Sequence, residues 1–204
     1  MKIVFFGDSV TEGCFEIGNP CEPQEVYHKK LQNMWHDSDV EVINAGVGGD
    51  NTSMGYKRMD SDVMAHKPDV VVVCFGLNDA PNGLDELATY TDNLQKIFDK
   101  LKGIRTIFMT PNMLNTYVHN DTDQQYIEFA NKTAQMQNDG VMDAYMQTAI
   151  EVAKKNNVEV CDCYSEWKKL KLYGIDTTLL LSNYINHPTR QMHQLFADML
   201  FKLL

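Results

Sequence analysis

The sequence predicts an open α/β fold built on a parallel sheet, and three observations carry that reading. Short β-branched runs alternate with longer stretches of helical apolar spacing, the pattern of βαβ units rather than of hairpins. The run Val70-Val71-Val72-Val73-Cys74-Phe75 is apolar without alternation, as a central strand covered on both faces must be. At 204 residues, 44% apolar and 23% charged, the chain is long enough to bury a substantial core. We therefore expect a three-layer α/β/α sandwich with five parallel strands, in one domain over residues 1–204.

The strands are predicted at residues 2–6, 40–44, 69–75, 106–110 and 158–162, each a β-branched or aromatic run bounded by polar or turn-forming residues. Helices are expected at 24–35, 53–67, 85–101, within 123–156, and at 189–203. The last of these carries Met192, Leu195, Phe196, Met199, Leu200 and Leu203 at core-facing spacing. Residues 111–123, with Asn112, Asn115, Asn120 and Asp121, read as a polar surface loop.

The balance of 18 basic against 28 acidic residues gives a formal charge of −10, which repels phosphate backbones and argues against a nucleic-acid partner. The longest apolar runs fall far short of the ~20 residues of a spanning helix. Met1 and Lys2 lead straight into a strand without an apolar leader, which predicts a cytoplasmic chain. Five cysteines, at positions 14, 21, 74, 161 and 163, do not read as a disulfide framework. Cys161 and Cys163 lack further ligands at zinc spacing, and Cys14 reads as a small buried hydrophobe.

In an open α/β sheet, ligands bind beyond the carboxyl ends of the strands, so the segments that follow strands are the ones to inspect. After the first strand comes Gly7-Asp8-Ser9-Val10-Thr11; after the second, Asn44-Ala45-Gly46-Val47-Gly48-Gly49-Asp50; after the third, Gly76-Leu77-Asn78-Asp79. Walker A is absent, Asn51 breaks a G-x-G-x-x-G pattern begun at Gly46, and Thr11 breaks a G-x-S-x-G elbow. Together with the late His187-Pro188, the loops hold what ester chemistry needs: a hydroxyl, N–H donors and a base.

These four blocks, in this order from residue 7 to residue 188, resemble the GDSL, or SGNH, hydrolases. The resemblance implies a flavodoxin-like sandwich and a serine esterase without metal or organic cofactor. It makes Ser9 the nucleophile and His187 the general base. The oxyanion donors are the main-chain N–H groups of Ser9 and Gly49 and the side-chain amide of Asn78. In the family an aspartate usually stands three residues before the histidine and orients its ring; here that residue is Tyr184. A backbone carbonyl, Asn183, Asn186 or Asp176 is left to take that role, with a neutral acceptor favoured. Asp8, Asp50 and Asp79 read as turn-fixing residues, and His193 as a packing or capping residue.

The implied substrate is a small carboxylic ester, an O-acetylated carbohydrate being the first class to try, because the Asn-rich 111–121 segment is suited to hydroxyl-bearing ligands. Two alternatives remain open. One is lysophospholipase or acyl-thioesterase activity through an apolar channel formed with Met109, Met113, Leu114 and Tyr117. The other is a non-catalytic carbohydrate-binding relative, motivated by the missing acid.

Overall fold

A computed structural model describes residues 1–35 and 39–204. Five strands, β1 (Lys2–Gly7), β2 (Glu41–Gly46), β3 (Val70–Cys74), β4 (Arg105–Met109) and β5 (Glu159–Cys161), form one parallel sheet in the order β2-β1-β3-β4-β5. Among the described residues the α-helices are α1 (Ser9–Glu12), α2 (Tyr27–Met34), α3 (Thr52–Asp62), α4 (Leu87–Lys100), α5 (Ile127–Asn138), α6 (Val141–Lys155), α7 (Cys163–Leu172) and α8 (Met192–Phe201). Helix α8 packs on α2 and α7, whereas α4 packs on α3 and α6, and α6 on α5. The result is the expected sandwich, with helices on both faces of the sheet. No helix among the described residues is long and apolar enough to cross a membrane.

The five predicted strands all form, displaced by one or two residues at their ends. Val70 to Cys74 is buried at every position, as its unbroken apolar run requires. Two helices lie outside the predicted set. Helix α1 is a single turn inside the segment read as a loop, and α7 is rich in lysine and ends at the exposed Leu172. The region 123–156 divides into α5 and α6 at Gly140, which sits at φ 78°, a left-handed conformation that a helix cannot continue through. The predicted helix 24–35 forms only as the shorter α2, with Trp35 outside it.

Register decides where the site lies. Gly7, the last residue of β1, pairs with Gly46 of β2 on one side and with Cys74 of β3 on the other. Three loops therefore leave the sheet at one level, around the point where the strand order reverses. Helix α1 lies so close to β2 that a Cβ at Gly46 would overlap the backbone of Thr11 and Glu12. From its other side, His28 Nε2 donates to the Thr11 carbonyl at 3.0 Å, and the hydroxyls of Thr11 and Tyr27 are also 3.0 Å apart.

One side chain ties two of these strand ends and a loop together. The Arg58 guanidinium donates to the carbonyls of Gly7 and Ala45, each at 2.8 Å, and pairs with Asp50 at 2.5 Å. It lies 4.8 Å from the Phe6 ring centroid and also reaches Asp62 at 3.1 Å. Removing one partner of a largely buried pair strands the other charge, at a cost of about 3 kcal/mol or more. Arg58→Met is predicted to lose about that much in urea unfolding; a change within about 0.5 kcal/mol would show that the guanidinium is not a structural tie.

Candidate active site

The candidate nucleophile stands at the start of α1. Asp8 caps this turn, its Oδ1 accepting from Val10 N at 3.0 Å, and so fixes the backbone on either side of Ser9. Ser9 Oγ lies 2.9 Å from Nε2 of His187, which is 178 residues further along the chain. Both residues are largely buried, at 7% and 5% exposure.

His187 is delivered by a tight loop closed by the Leu181–Pro188 bridge and by the bond from Ser182 N to His187 O at 2.7 Å. Inside it, Asn183 Oδ1 accepts the backbone N–H groups of Ile185, Asn186 and His187, all at 3.0 Å. The segment after β4 holds the loop in place: Asn112 Nδ2 donates to Asn186 O at 2.8 Å, and Asn115 N donates to Ile185 O at 2.9 Å. The expectation of a surface loop at 111–123 is therefore corrected in part: the segment has no regular structure and residues 116–121 are half-buried or exposed, but residues 111–115 are buried and carry the histidine loop. Nor are Asn112 and Asn115 free to meet a ligand. The Asn112 amide serves Met113 and Asn186, and the Asn115 amide serves the carbonyls of Tyr117 and Ala130.

The ring partner of His187 is the main-chain carbonyl of Phe15, 3.2 Å from Nδ1. A carbonyl only accepts, so Nδ1 carries the proton and Nε2 presents its lone pair to the Ser9 hydroxyl. Asn183 Nδ2 donates to Asn186 Oδ1 at 2.8 Å, and Asn183 Oδ1 is taken up by backbone N–H groups. Asp176 lies elsewhere, accepting from Tyr117 Oη at 2.8 Å and capping the 3-10 turn Thr177–Leu180. None of these three side chains bonds to the ring. Tyr184 adopts φ 58° and stacks on His119 with ring centroids 4.2 Å apart.

The remaining predicted residues converge on the same place. Ser9, Gly48, Gly49, Asn78, Asn186 and His187 line one cleft of about 280 Å³, whose other walls include Cys14, Glu16, Ile17, Gly18, Asn19 and Phe129. Gly49 has φ 79°, which accounts for glycine at that position. Asn78 Nδ2 donates to Asp50 O at 2.9 Å, and an amide nitrogen carries a second hydrogen beyond that bond.

Behind the cleft, the three aspartates serve the scaffold. Asp50 holds Arg58, and Asp79 Oδ1 accepts from Thr52 N at 3.0 Å and Thr52 Oγ1 at 2.5 Å. Burial raises the Asp8 carboxyl to about 7, with the neighbouring Asp79 and Asp50 adding to the effect. Burial likewise raises Asp79 to about 6, against the Thr52 hydrogen bonds. His193 is fully buried and accepts from Tyr27 N at 3.2 Å at the start of α2, a capping role.

The reading of the cysteines is corrected at two of them. Cys14 and Cys21 form a disulfide, and Cys14 is a half-buried wall of the cleft rather than a small core residue. Cys74, Cys161 and Cys163 are buried thiols. The pair at 14 and 21 stood unrecognised because it lies within a loop whose path the sequence does not fix. Phe15 was also missed, since a main-chain acceptor leaves no mark in the identity of its side chain.

Residues 5–195 match the GDSL-like Lipase/Acylhydrolase family, and the chain belongs to it. An arylesterase of Vibrio mimicus is 26% identical over 137 residues, covering 61% of this chain and 62% of that protein. An acetylxylan esterase of Geobacillus stearothermophilus is 30% identical over 133 residues, covering 54% and 59%. The matches thus span about three-fifths of these two curated relatives. In fold, a crystal structure of an acetyl xylan esterase superposes over 100% of both chains with a TM-score of 0.77 at 22% identity.

Burial holds the His187 imidazole down to about 4, opposed by its bond to Phe15, against an ordinary value of about 6.5. An NMR titration of the ring is predicted to show its midpoint well below 6, with the neutral form present throughout the range above. A midpoint at 6.5 or higher would mean that the ring is solvated or paired with an acid.

Proposed function

We propose that this chain is a serine esterase, one catalytic domain acting on a small carboxylic ester, with an O-acetylated carbohydrate as its substrate class. The single observation that carries the reading is the 2.9 Å contact between Ser9 Oγ and a His187 whose other nitrogen faces a carbonyl. As Ser9 Oγ attacks the ester carbonyl, His187 Nε2 takes the hydroxyl proton. The tetrahedral oxyanion is met by the N–H groups of Ser9 and Gly49 and by Asn78 Nδ2. When the intermediate collapses, His187 returns the proton to the departing alcohol. Water, activated by the same imidazole, then releases the acid from the acyl-enzyme. No step calls on a metal or organic cofactor.

Several features support a short acyl group. The cleft is small, with Ile17 and Phe129 as its large apolar walls. The channel residues considered for long chains do not line it: Met109, Met113 and Leu114 are buried in the core, and Tyr117 is on the surface. The curated names of the arylesterase and acetylxylan esterase relatives agree with ester hydrolysis. The formal charge of −10 favours a small-molecule partner over nucleic acid. Against the cytoplasmic location read from the N-terminus stands the Cys14–Cys21 bond, because disulfides persist mainly in oxidising compartments.

The test is an ester panel run with wild type and variants. Hydrolysis of p-nitrophenyl acetate is predicted to exceed that of the decanoate. Ser9→Ala and His187→Ala should each abolish most turnover while leaving thermal unfolding little changed, and Asn78→Ala should cost about 10²-fold in kcat. Turnover at the wild-type level in Ser9→Ala would reject the mechanism, and preference for the decanoate would reject the substrate class.

A further inference from the structure

The segment between Cys14 and Cys21 does two things at once. It supplies the Phe15 carbonyl that faces His187 Nδ1, and it supplies Glu16, Ile17, Gly18 and Asn19 to the cleft wall. Its attachment to the rest of the protein is sparse. On the flanks, Cys14 N donates to Ser9 O at 3.0 Å and Glu22 N to Gly13 O at 2.8 Å, but among the described residues no backbone–backbone hydrogen bond involves residues 15–21. What holds the segment is the disulfide, the buried Phe15 ring, and the pairing of Glu16 and Glu22 with Arg190. The Phe15 ring lies 4.4 Å from the Arg190 guanidinium and edge-on to His193.

Burying that ring does not by itself aim the carbonyl. The carbonyl belongs to the peptide plane joining Phe15 to Glu16, so its direction depends on the path the chain takes after Phe15. Closure at Cys21 constrains that path.

We propose that the Cys14–Cys21 disulfide is a positioning element of the active site: it keeps the Phe15 carbonyl on His187, and its reduction slows ester hydrolysis without unfolding the protein. The inference rests on the esterase reading above. Cys14 and Cys21 are half-buried and Cys14 borders the cleft, so a small dithiol reaches the bond. A thiolate of the dithiol attacks one sulfur, the protein S–S bond breaks, and two electrons and two protons end on Cys14 and Cys21 as the reagent closes to its own disulfide. The Nδ1 proton of His187 then loses its fixed acceptor, the ring exchanges tautomers and rotates, and Nε2 is held less often towards Ser9. Oxidising surroundings keep the site in its fast form, and reducing ones convert it to a slow form.

The experiment measures kcat and KM for p-nitrophenyl acetate on the oxidised protein, after dithiothreitol, and after reoxidation, with circular dichroism and thermal unfolding monitoring the fold. Reduction is predicted to lower kcat by roughly ten- to a hundredfold, the scale of a misplaced catalytic group, and reoxidation to restore it. The acid limb of the pH–kcat/KM profile should move to lower pH, because the bond to Phe15 that opposes the burial of the imidazole is lost. The double variant Cys14→Ser, Cys21→Ser should match the reduced protein and be indifferent to dithiothreitol. Unchanged kcat with both thiols titratable would overturn the proposal. So would unfolding on reduction, which would make the bond a general staple, or a double variant with wild-type kcat. If the double variant does not fold, the reduced wild type decides. An oxidised protein with no esterase activity would sink the hydrolase reading itself, whereas an active one unaffected by reduction sinks only this inference.

Discussion

The site depends on a single alignment: a hydroxyl at residue 9, an imidazole at residue 187 and a main-chain carbonyl at residue 15, set in line through the two ring nitrogens. Each member is held by a different device. Ser9 is fixed by the Asp8 cap and the pressure of α1 on Gly46, and His187 by the Asn183-centred loop seated on Asn112 and Asn115. Parallel pairing makes the convergence possible, because Gly7, Gly46 and Cys74 end their strands at one level. The Arg58 guanidinium then joins the ends of β1 and β2 to the loop that carries Gly49.

A carbonyl in place of a carboxylate changes the electrostatics without changing the geometry. Either acceptor fixes the tautomer, but only a carboxylate brings a full negative charge to stabilise the imidazolium formed during attack. In this chain burial dominates and holds the imidazole's proton affinity down. In the proposed mechanism the ring is thus a weak base that is already neutral near pH 7, and the proposed oxyanion donors have correspondingly more of the barrier to lower. Tyr184, standing where the family usually has its acid, is half-buried and stacks on His119.

Much of this was legible in the residues. The unbroken Val70 to Cys74 run announced a central strand, and the four blocks placed Ser9, Gly49, Asn78 and His187 in one company before any distance was known. What escaped has physical reasons. Helix α1 is four residues long, below the reach of any periodic pattern, and α7 is lysine-rich with an exposed end. Asn112 and Asn115 looked like surface residues because an amide that satisfies buried backbone has the same letter as one that meets water. A main-chain carbonyl was among the acceptors expected for His187, but its identity as that of Phe15 leaves no mark in the sequence, and the bond at Cys14 joins two cysteines seven positions apart in a loop without repetitive structure.

The central claim is that Ser9 is a hydroxyl activated by His187, and covalent trapping addresses it most directly. After incubation with a fluorophosphonate, peptide mass spectrometry should find one adduct, on Ser9, formed far more slowly in His187→Ala. An unlabelled Ser9, or an adduct on a different residue that forms equally fast without the imidazole, would contradict the account.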